Sequence, residues 1–446
     1  MPRGQPSGEG ASSRAPRAGA TGVGMADEQL PVTQSWDWNG VIGTGRSLAV
    51  GVQAQDVTLT KQSFNNLKLA LGNARVTVPP YDAGDPGLSI AALAEPIRPE
   101  ATVFPSAYPF NIFGETPHPA MADQISALSR RGTGLDYVTV HMVVGENGQG
   151  IDVIGKGAAV TPTRGHAYAA TLFEVSALKR LAREAGKTFG VGAVILTHGE
   201  TDADNGAYES NVVRLNADYN ADIRAITGQD APIPLLLTQQ QTCSGDNSAT
   251  ASMIAQWKIG RDHPDAIICV GPKYQYPYAT DRLHLVADGY DQLGEKYAEV
   301  YYERVVLGHR WEPLQPIVAR RNGRSITVNF HVPKPPLVWD DAIPAPHQTA
   351  HRAWSRGRGF EVQSERGEHP IAAVTIDGNS VLITLLDDPS ATRLVVRYAA
   401  TQHAVGMMGG LASGHIGQLR DSDPLIGLTT NLPLYNYAVS FALDVQ

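Results

Sequence analysis

From about residue 36 to 308, short apolar runs alternate with longer stretches in which apolar residues recur every three or four positions. The runs Val41 to Thr44, Tyr137 to Val144, Gly192 to Thr197, Ile233 to Thr238 and Ala266 to Val270 predict five strands. Between and after them, Pro119 to Arg130, Ala169 to Glu184, Val212 to Ile226, Ala249 to Arg261 and Gly289 to Val306 carry helical periodicity. Strands alternating with helices of crossover length predict an α/β domain built on a parallel sheet of flavodoxin size. The texture changes at residues 309 to 316. Beyond them, Ser325 to Val332, Ala372 to Ile376, Ser380 to Leu385 and Thr392 to Tyr398 alternate apolar and polar positions. Turn signals at Asn322-Gly323, Asp377-Gly378 and Asp387-Asp388-Pro389 bound them, which predicts a C-terminal β-sandwich. The Pro-rich stretch from Thr77 to Pro119 has little periodicity and reads as a long ordered loop.

Composition narrows the function classes. With 36 Lys+Arg against 44 Asp+Glu the net charge is −8, which argues against a nucleic-acid binder. Gly (45) and Pro (30) are too frequent for an all-helical bundle. Two cysteines, Cys243 and Cys269, cannot build a disulfide scaffold or a four-thiolate metal site; they read as small buried thiols, with a single bridge as the alternative. No apolar run approaches the roughly 20 residues of a membrane span. The first 24 residues read as a disordered tail, with Met25 a candidate functional start. They lack the apolar core of a signal peptide, so the chain as written reads as cytoplasmic, although a misassigned start would hide an export signal.

Four segments could carry chemistry. GTGRSLAVG, Gly43 to Gly51, follows the first strand, so Ser47 lies where open parallel sheets bind ligands and could be a nucleophile or only a helix cap. The overlapping GVIGTGRS matches a phosphate loop only if Arg46 replaces lysine, and it lacks the buried strand before it; the dinucleotide glycine spacing fails as well. TDRLH places Asp281 three residues before His284 in a polar loop, where a carboxylate can hold one ring nitrogen and leave the other as a base. LTHGETD, Leu196 to Asp202, follows a strand, and its donors could converge on an oxyanion. His198 and Glu200 match the HxE of zinc deaminases, but no PCxxC follows. FGETPHPAMADQI, Phe113 to Ile125, puts Gly114 before a helix start whose amides can donate to an anion.

Taken in order, Ser47, Gly114, the HGETD block and Asp281/His284 resemble the SGNH hydrolase superfamily, and more narrowly its sialate O-acetylesterase-like carbohydrate esterases, over roughly residues 38 to 304. The resemblance implies a three-layer α/β/α flavodoxin-like catalytic domain, residues 25–308, followed by a β-sandwich domain, residues 309–446. It implies a serine esterase acting on acetylated carbohydrate, with catalytic Ser47, Asp281 and His284 and an oxyanion hole of Ser47, Gly114 and His198. Arg46, Glu115, Glu200 and Asp202 would line the substrate site, with no metal or cofactor, no nucleic acid and no membrane as partner. Where the family carries glutamine, this chain has Arg46 and His198. Arg46 could make an internal ion pair or grip a substrate carboxylate. Tyr274, Tyr276, Tyr278, Trp36 and Trp38 flank these segments and could stack on sugar rings or pack in the core. The closing stretch from Gly417 to Phe441 reads as a segment packing back on its partner domain, with glycan binding as the other possibility. The alternatives are another SGNH activity (lipase, thioesterase or acyltransferase) or a non-catalytic carbohydrate- or nucleotide-binding protein.

Overall fold

The computed structural model describes residues 30, 32–33, 35–71, 79–97, 114–241, 251–344, 346, 354–389, 393–400, 410–411 and 416–446. The tail at 1–24, Met25 and Cys243 lie outside the described residues, as does the whole stretch from 98 to 113.

Strands β1 (Trp38–Gly45), β2 (Leu67–Leu71), β3 (Leu88–Ala92), β4 (Thr139–Val143), β5 (Phe189–Thr197), β6 (Leu235–Thr238) and β7 (Ile267–Gly271) form one sheet in the order β3-β2-β4-β1-β5-β6-β7. All neighbours run parallel except β3, which is antiparallel to β2 at the edge. The five strands expected from apolar runs are the parallel centre, and counted alone they take the flavodoxin-like order 2-1-3-4-5. Two edge strands, β2 and β3, extend the sheet beyond that expectation.

The helices are α1 (His118–Thr133), the single turn α2 (Ile151–Ile154), α3 (Ala167–Glu184), α4 (Tyr208–Thr227), α5 (Ala251–Asp262) and α6 (Ala287–Tyr301). They cover both faces, and strand alternation sorts the core between them. Val41, Ala193, Ile195, Leu236 and Ile268 join Met121 and Ile125 of α1 and Leu293 and Tyr297 of α6. Ile42, Val194, Leu196, Leu235 and Leu237 join Phe173 and Leu178 of α3, Val212 and Ile223 of α4 and Trp257 of α5. Helix α6 continues into a π-helical turn, Tyr302–Val306, so the expected 289–306 helix is not α-helical to its end. The α1 terminus follows its sequence: Pro119 opens the first turn, and Gly134 at φ 73° caps the last with its N–H on Arg130 O. Cys269 sits inside β7, where burial pushes its thiol up to about 12.

Beyond the helices come β8 (Gln315–Asn322), β9 (Ser325–His331), β10 (Val338–Trp339), α7 (Trp354–Gly357), β11 (Phe360–Ser364), β12 (Gly367–Glu368), β13 (Ile371–Asp377), β14 (Ser380–Leu385), β15 (Val395–Tyr398), β16 (Leu419–Arg420) and β17 (Phe441–Asp444). Two antiparallel four-stranded sheets, β13-β14-β9-β8 and β12-β11-β15-β17, share one core in which Phe330, Phe360 and Phe441 meet with ring centroids 6.0 to 6.3 Å apart.

That core is continuous with the α/β unit. Trp257 lies 6.0 Å from the Phe441 ring and donates its Nε1–H to Gln315. Gln239 exchanges two hydrogen bonds with the Ser440 backbone, and the Tyr274 hydroxyl donates to Ala438 O. Lys296 of α6 reaches Glu299, Leu434 O and Asn436. The closing stretch therefore packs back on the α/β layers. No described helix is long and apolar enough to cross a membrane.

Candidate active site

The chain builds β2, β3 and β4 on one side of β1 and then crosses to build β5, β6 and β7 on the other. The crevice at the carboxyl end of β1 is therefore a topological switch point, where open α/β sheets place ligands. Gly45 ends the strand at φ 136°, and a Cβ there would stand 2.1 Å from Thr197 O. Only glycine lets β1 turn so close to β5, and that turn delivers Arg46 and Ser47. Ser47 opens a short 3-10 turn, is fully buried, and its Oγ has no hydrogen-bond partner.

Gly114 comes against the same loop. At φ 107° it bridges Ala54, and a Cβ would collide with Ala54 O at 1.7 Å, while the Glu115 N–H donates to that carbonyl at 2.8 Å. The 277–286 loop folds over a Tyr278–Leu285 bridge and the Ala279 N–H to His284 O bond. In it, Asp281 Oδ2 lies 2.6 Å from His284 Nδ1, and Asp281 Oδ1 accepts the Leu283 and His284 N–H groups at 3.0 Å. Burial raises the Asp281 carboxyl, but these hydrogen bonds outweigh it and hold the group below its usual range. Since the ionised carboxylate only accepts, His284 Nδ1 carries the proton and Nε2 is the free base. His284 is 8 % exposed, and its Nε2 is buried without a partner.

Tyr290 of α6 joins these loops. Its hydroxyl donates to Val52 O at 2.9 Å, and the Val52 N–H donates to Ser47 O. Burial, then the charges of Asp281 and Glu200, push that hydroxyl far up. No hydrogen bond joins Ser47 Oγ to His284 Nε2.

The block after β5 contributes a buried ion pair. Glu200 Oε1 accepts from Lys273 Nζ at 2.7 Å with both side chains buried, and Glu200 Oε2 has no partner. Burial raises the Glu200 carboxyl, but Lys273 and then Arg46 bring it down to about 2. Arg46, Glu200, Thr201, Asp202 and Asp204 line a cleft of about 710 Å³. Lys273, in the GPKYQYP loop that follows β7, did not stand out in the sequence; its place at the carboxyl end of a predicted parallel strand was the available signal.

Three of the expected site residues have other partners in the structure. Glu115 does not face the cleft: its Oε2 accepts from the Thr58 and Leu59 N–H groups and the Thr58 hydroxyl, inside the protein. The His198 ring is engaged at both nitrogens, with Nε2 on Gln149 O at 3.2 Å and Nδ1 on the Tyr208 hydroxyl at 3.1 Å. Gln149 O only accepts, so Nε2–H donates to it and no ring N–H remains for an oxyanion. Asp202 lines the cleft, but its oxygens accept from Ile151 N–H and Asn205 Nδ2, so its first task is to pin the loop.

The flanking aromatics divide as well. Trp36 lies against Gly190 and Trp38 pairs with Phe189 at the amino end of the sheet. Seven residue steps along β1 separate Trp38 from Gly45, roughly 23 Å at 3.3 Å per step. Neither tryptophan belongs to the crevice. Tyr274 is buried against the C-terminal stretch. Among the described residues, no group of three or more His, Cys, Asp or Glu is placed to hold a metal ion.

Glu115 instead belongs to a buried acidic cluster behind the loop. Burial and then the Glu115 charge push Glu95 up to about 7 and Asp291 up to about 8; burial and then Asp423, against Lys296, leave Glu299 at about 8. Raised carboxyls hold protons that the unfolded chain has released, so their contribution falls as pH rises from about 4 to 8. Buried His118, His141 and His198, all held below the usual imidazole range, act with the opposite sign only below about 6.5. Thermal stability is therefore expected to fall between pH 6.5 and 8.5, and Asp291→Asn to flatten the fall. Melting curves across that window check it, and an unchanged slope in the variant contradicts it.

No protein-family profile matches the chain, and no curated protein matches it in sequence. Among solved structures it is similar to XAC1771, described as a carbohydrate acetylesterase from Xanthomonas citri. The TM-score is 0.53 at 16% identity, over 92% of this chain and 80% of that one. A protein of Arabidopsis thaliana matches with TM-score 0.41 at 16% identity, over 60% of this chain and 98% of that one. The structure of NanS matches with TM-score 0.37 at 10% identity, also over 60% and 98%. The likeness to XAC1771 establishes a shared fold across the α/β unit and the C-terminal sheets.

Proposed function

We propose that this chain is a serine esterase that removes acetyl groups from O-acetylated carbohydrate. The observation that carries the reading is the Asp281–His284 pair, whose Nε2 is buried without a partner, as is the Ser47 Oγ in the loop after β1. The shared fold with a protein described as a carbohydrate acetylesterase supports the substrate class.

In this mechanism Ser47 Oγ attacks the ester carbonyl while His284 Nε2 takes its proton, and Asp281 holds the tautomer and stabilises the imidazolium. The backbone amides of Ser47 and Gly114 receive the developing oxyanion; each such donor is typically worth about 2.7 to 4 kcal/mol. The imidazolium then returns the proton to the departing sugar oxygen. Water, deprotonated by His284, attacks the acetyl-enzyme and releases acetate and Ser47. Catalytic hydrogen bonds are commonly long before substrate binds, so a site without a Ser47–His284 hydrogen bond is compatible with this mechanism.

A series of 4-nitrophenyl esters from acetate to decanoate, with acetate release from acetylated sugars, tests the proposal. The acetyl ester should exceed the octanoyl ester at least tenfold in kcat/KM, with acetate released from the sugar. Preference for long chains would indicate a lipase or thioesterase, and no turnover of any ester would overturn the reading.

A further inference from the structure

A second cavity, of about 190 Å³, opens where the closing stretch of the chain meets the loop after β7 and helix α6. Tyr276 lines it at 5 % exposure, and its hydroxyl is buried with no hydrogen-bond partner. The adjacent Gln275 gives an Nε2–H to Pro272 O at 3.0 Å, while its Oε1 is likewise buried and unpartnered. Each orphaned atom forgoes the hydrogen bonds that water supplied before folding, and native proteins leave few such groups without a reason. One can donate and the other accept, yet neither is bonded to the other. Half-buried Gln292 of α6 brings a second amide to the same cavity. The remaining lining sets the charge and shape of a ligand. Among the described residues around this cavity there is no carboxylate, and the one cation, Lys296, already directs its ammonium at Glu299, Leu434 O and Asn436. Three acceptors use its three protons, so an ionic ligand finds no counter-charge. Tyr435 and Tyr437 supply aromatic surface that is held in place beforehand: the Arg420 guanidinium lies 3.6 Å from the Tyr435 ring centroid, and Tyr437 donates its hydroxyl to Asp340.

We propose that this cavity is a non-catalytic binding site for one ring of a neutral sugar, with the Tyr276 hydroxyl and the Gln275 and Gln292 amides bonding its hydroxyls. The tyrosine rings cover its C–H surface, since an amphipathic aromatic suits a ligand with polar edges and apolar faces. The volume is below the roughly 300 Å³ at which drug-sized pockets begin, so it admits a single ring rather than an oligomer. It shares no lining residue with the cleft that holds Arg46 and Glu200. The site therefore stands apart from the esterase reading and does not depend on it.

Saturation-transfer difference nuclear magnetic resonance on the full chain tests this with methyl β-D-glucopyranoside and methyl β-D-galactopyranoside, and with cyclohexanol as a ring of similar size that lacks their hydroxyls. At least one glycoside is expected to bind saturably, with cyclohexanol at least fivefold weaker. Tyr276→Phe and Gln292→Ala should each weaken that glycoside about fivefold, the effect of one lost hydrogen bond. Tyr276→Phe should also melt at or above the parent temperature, because it removes a hydroxyl that bonds nothing in the protein. If Tyr276→Phe does not fold, the hydroxyl is a structural partner and the proposal falls. No saturable binding of either glycoside, cyclohexanol binding as tightly as the glycosides, or an affinity unmoved in both variants also overturns it. Loss of ester hydrolysis in the native chain would strike the esterase reading and leave this titration as it stands.

Discussion

Ser47→Ala is expected to lower kcat for acetyl-ester hydrolysis by about 10⁴-fold or more, with the melting temperature within a few degrees of the parent. The size follows from the chemistry. Removing Oγ removes the nucleophile and with it the acetyl-enzyme, so only polarisation of the carbonyl by the amides remains. Asp281→Asn should cost a comparable factor, because an amide at that position can hold His284 Nδ1 unprotonated, which puts the proton on Nε2 and blocks the base. Folding should tolerate the serine change well. The Ser47 side chain makes no hydrogen bond, so its loss orphans nothing.

Lys273→Met is expected to have the largest effect on stability. Lys273 and Glu200 are 0% and 1% exposed at their side chains and 2.7 Å apart. Removing the ammonium leaves a buried carboxylate with only Arg46 to offset it, and breaking such a pair typically costs about 3 to 5 kcal/mol. The pH dependence has a definite sign. Glu200 is held at about 2, below its ordinary 4.5, so the pair contributes fully above pH 4.5 and is lost as pH falls toward 2. The deficit of Lys273→Met should therefore be greatest near neutrality and shrink in acid, where Glu200 protonates. Adding Glu200→Gln should recover part of the loss. Chemical denaturation at pH 7 and pH 4 checks both statements; an equal deficit at the two values would mean that Lys273 acts through packing alone.

The two kinds of residue in this site differ in how far the sequence reveals them. Central strands were legible because parallel strands buried on both faces read as unbroken apolar runs, as Val191 to Thr197 does. The edge pair β2 and β3 was not: Leu67 to Leu71 alternates over only five residues and Leu88 to Ala92 sits inside a Pro-rich stretch. The sandwich strands announced themselves by alternation and by turns such as Asn322-Gly323, which closes the β8–β9 hairpin. The Asp281–His284 pair was legible because both partners lie within three residues of each other.

Partnerships across long separations were not. Glu115 is claimed by Thr58, 57 residues away, and Glu200 by Lys273, 73 residues away. Nothing local distinguishes a carboxylate that lines a cleft from one that anchors a loop. His198 shows the same limit, since its order after β5 suggested a donor while Gln149 and Tyr208 consume both ring nitrogens. Position along the chain indicated which loops would gather at the switch point. Burial and pairing decided which of their side chains remained open for chemistry.

The activation of Ser47 by His284 can be read directly by reacting the native chain with a fluorophosphonate and mapping the modified peptide by mass spectrometry. A single adduct on Ser47, formed rapidly in the native chain and strongly slowed by His284→Gln, is the predicted result. An unmodified Ser47 in a preparation that still hydrolyses acetyl esters would contradict it.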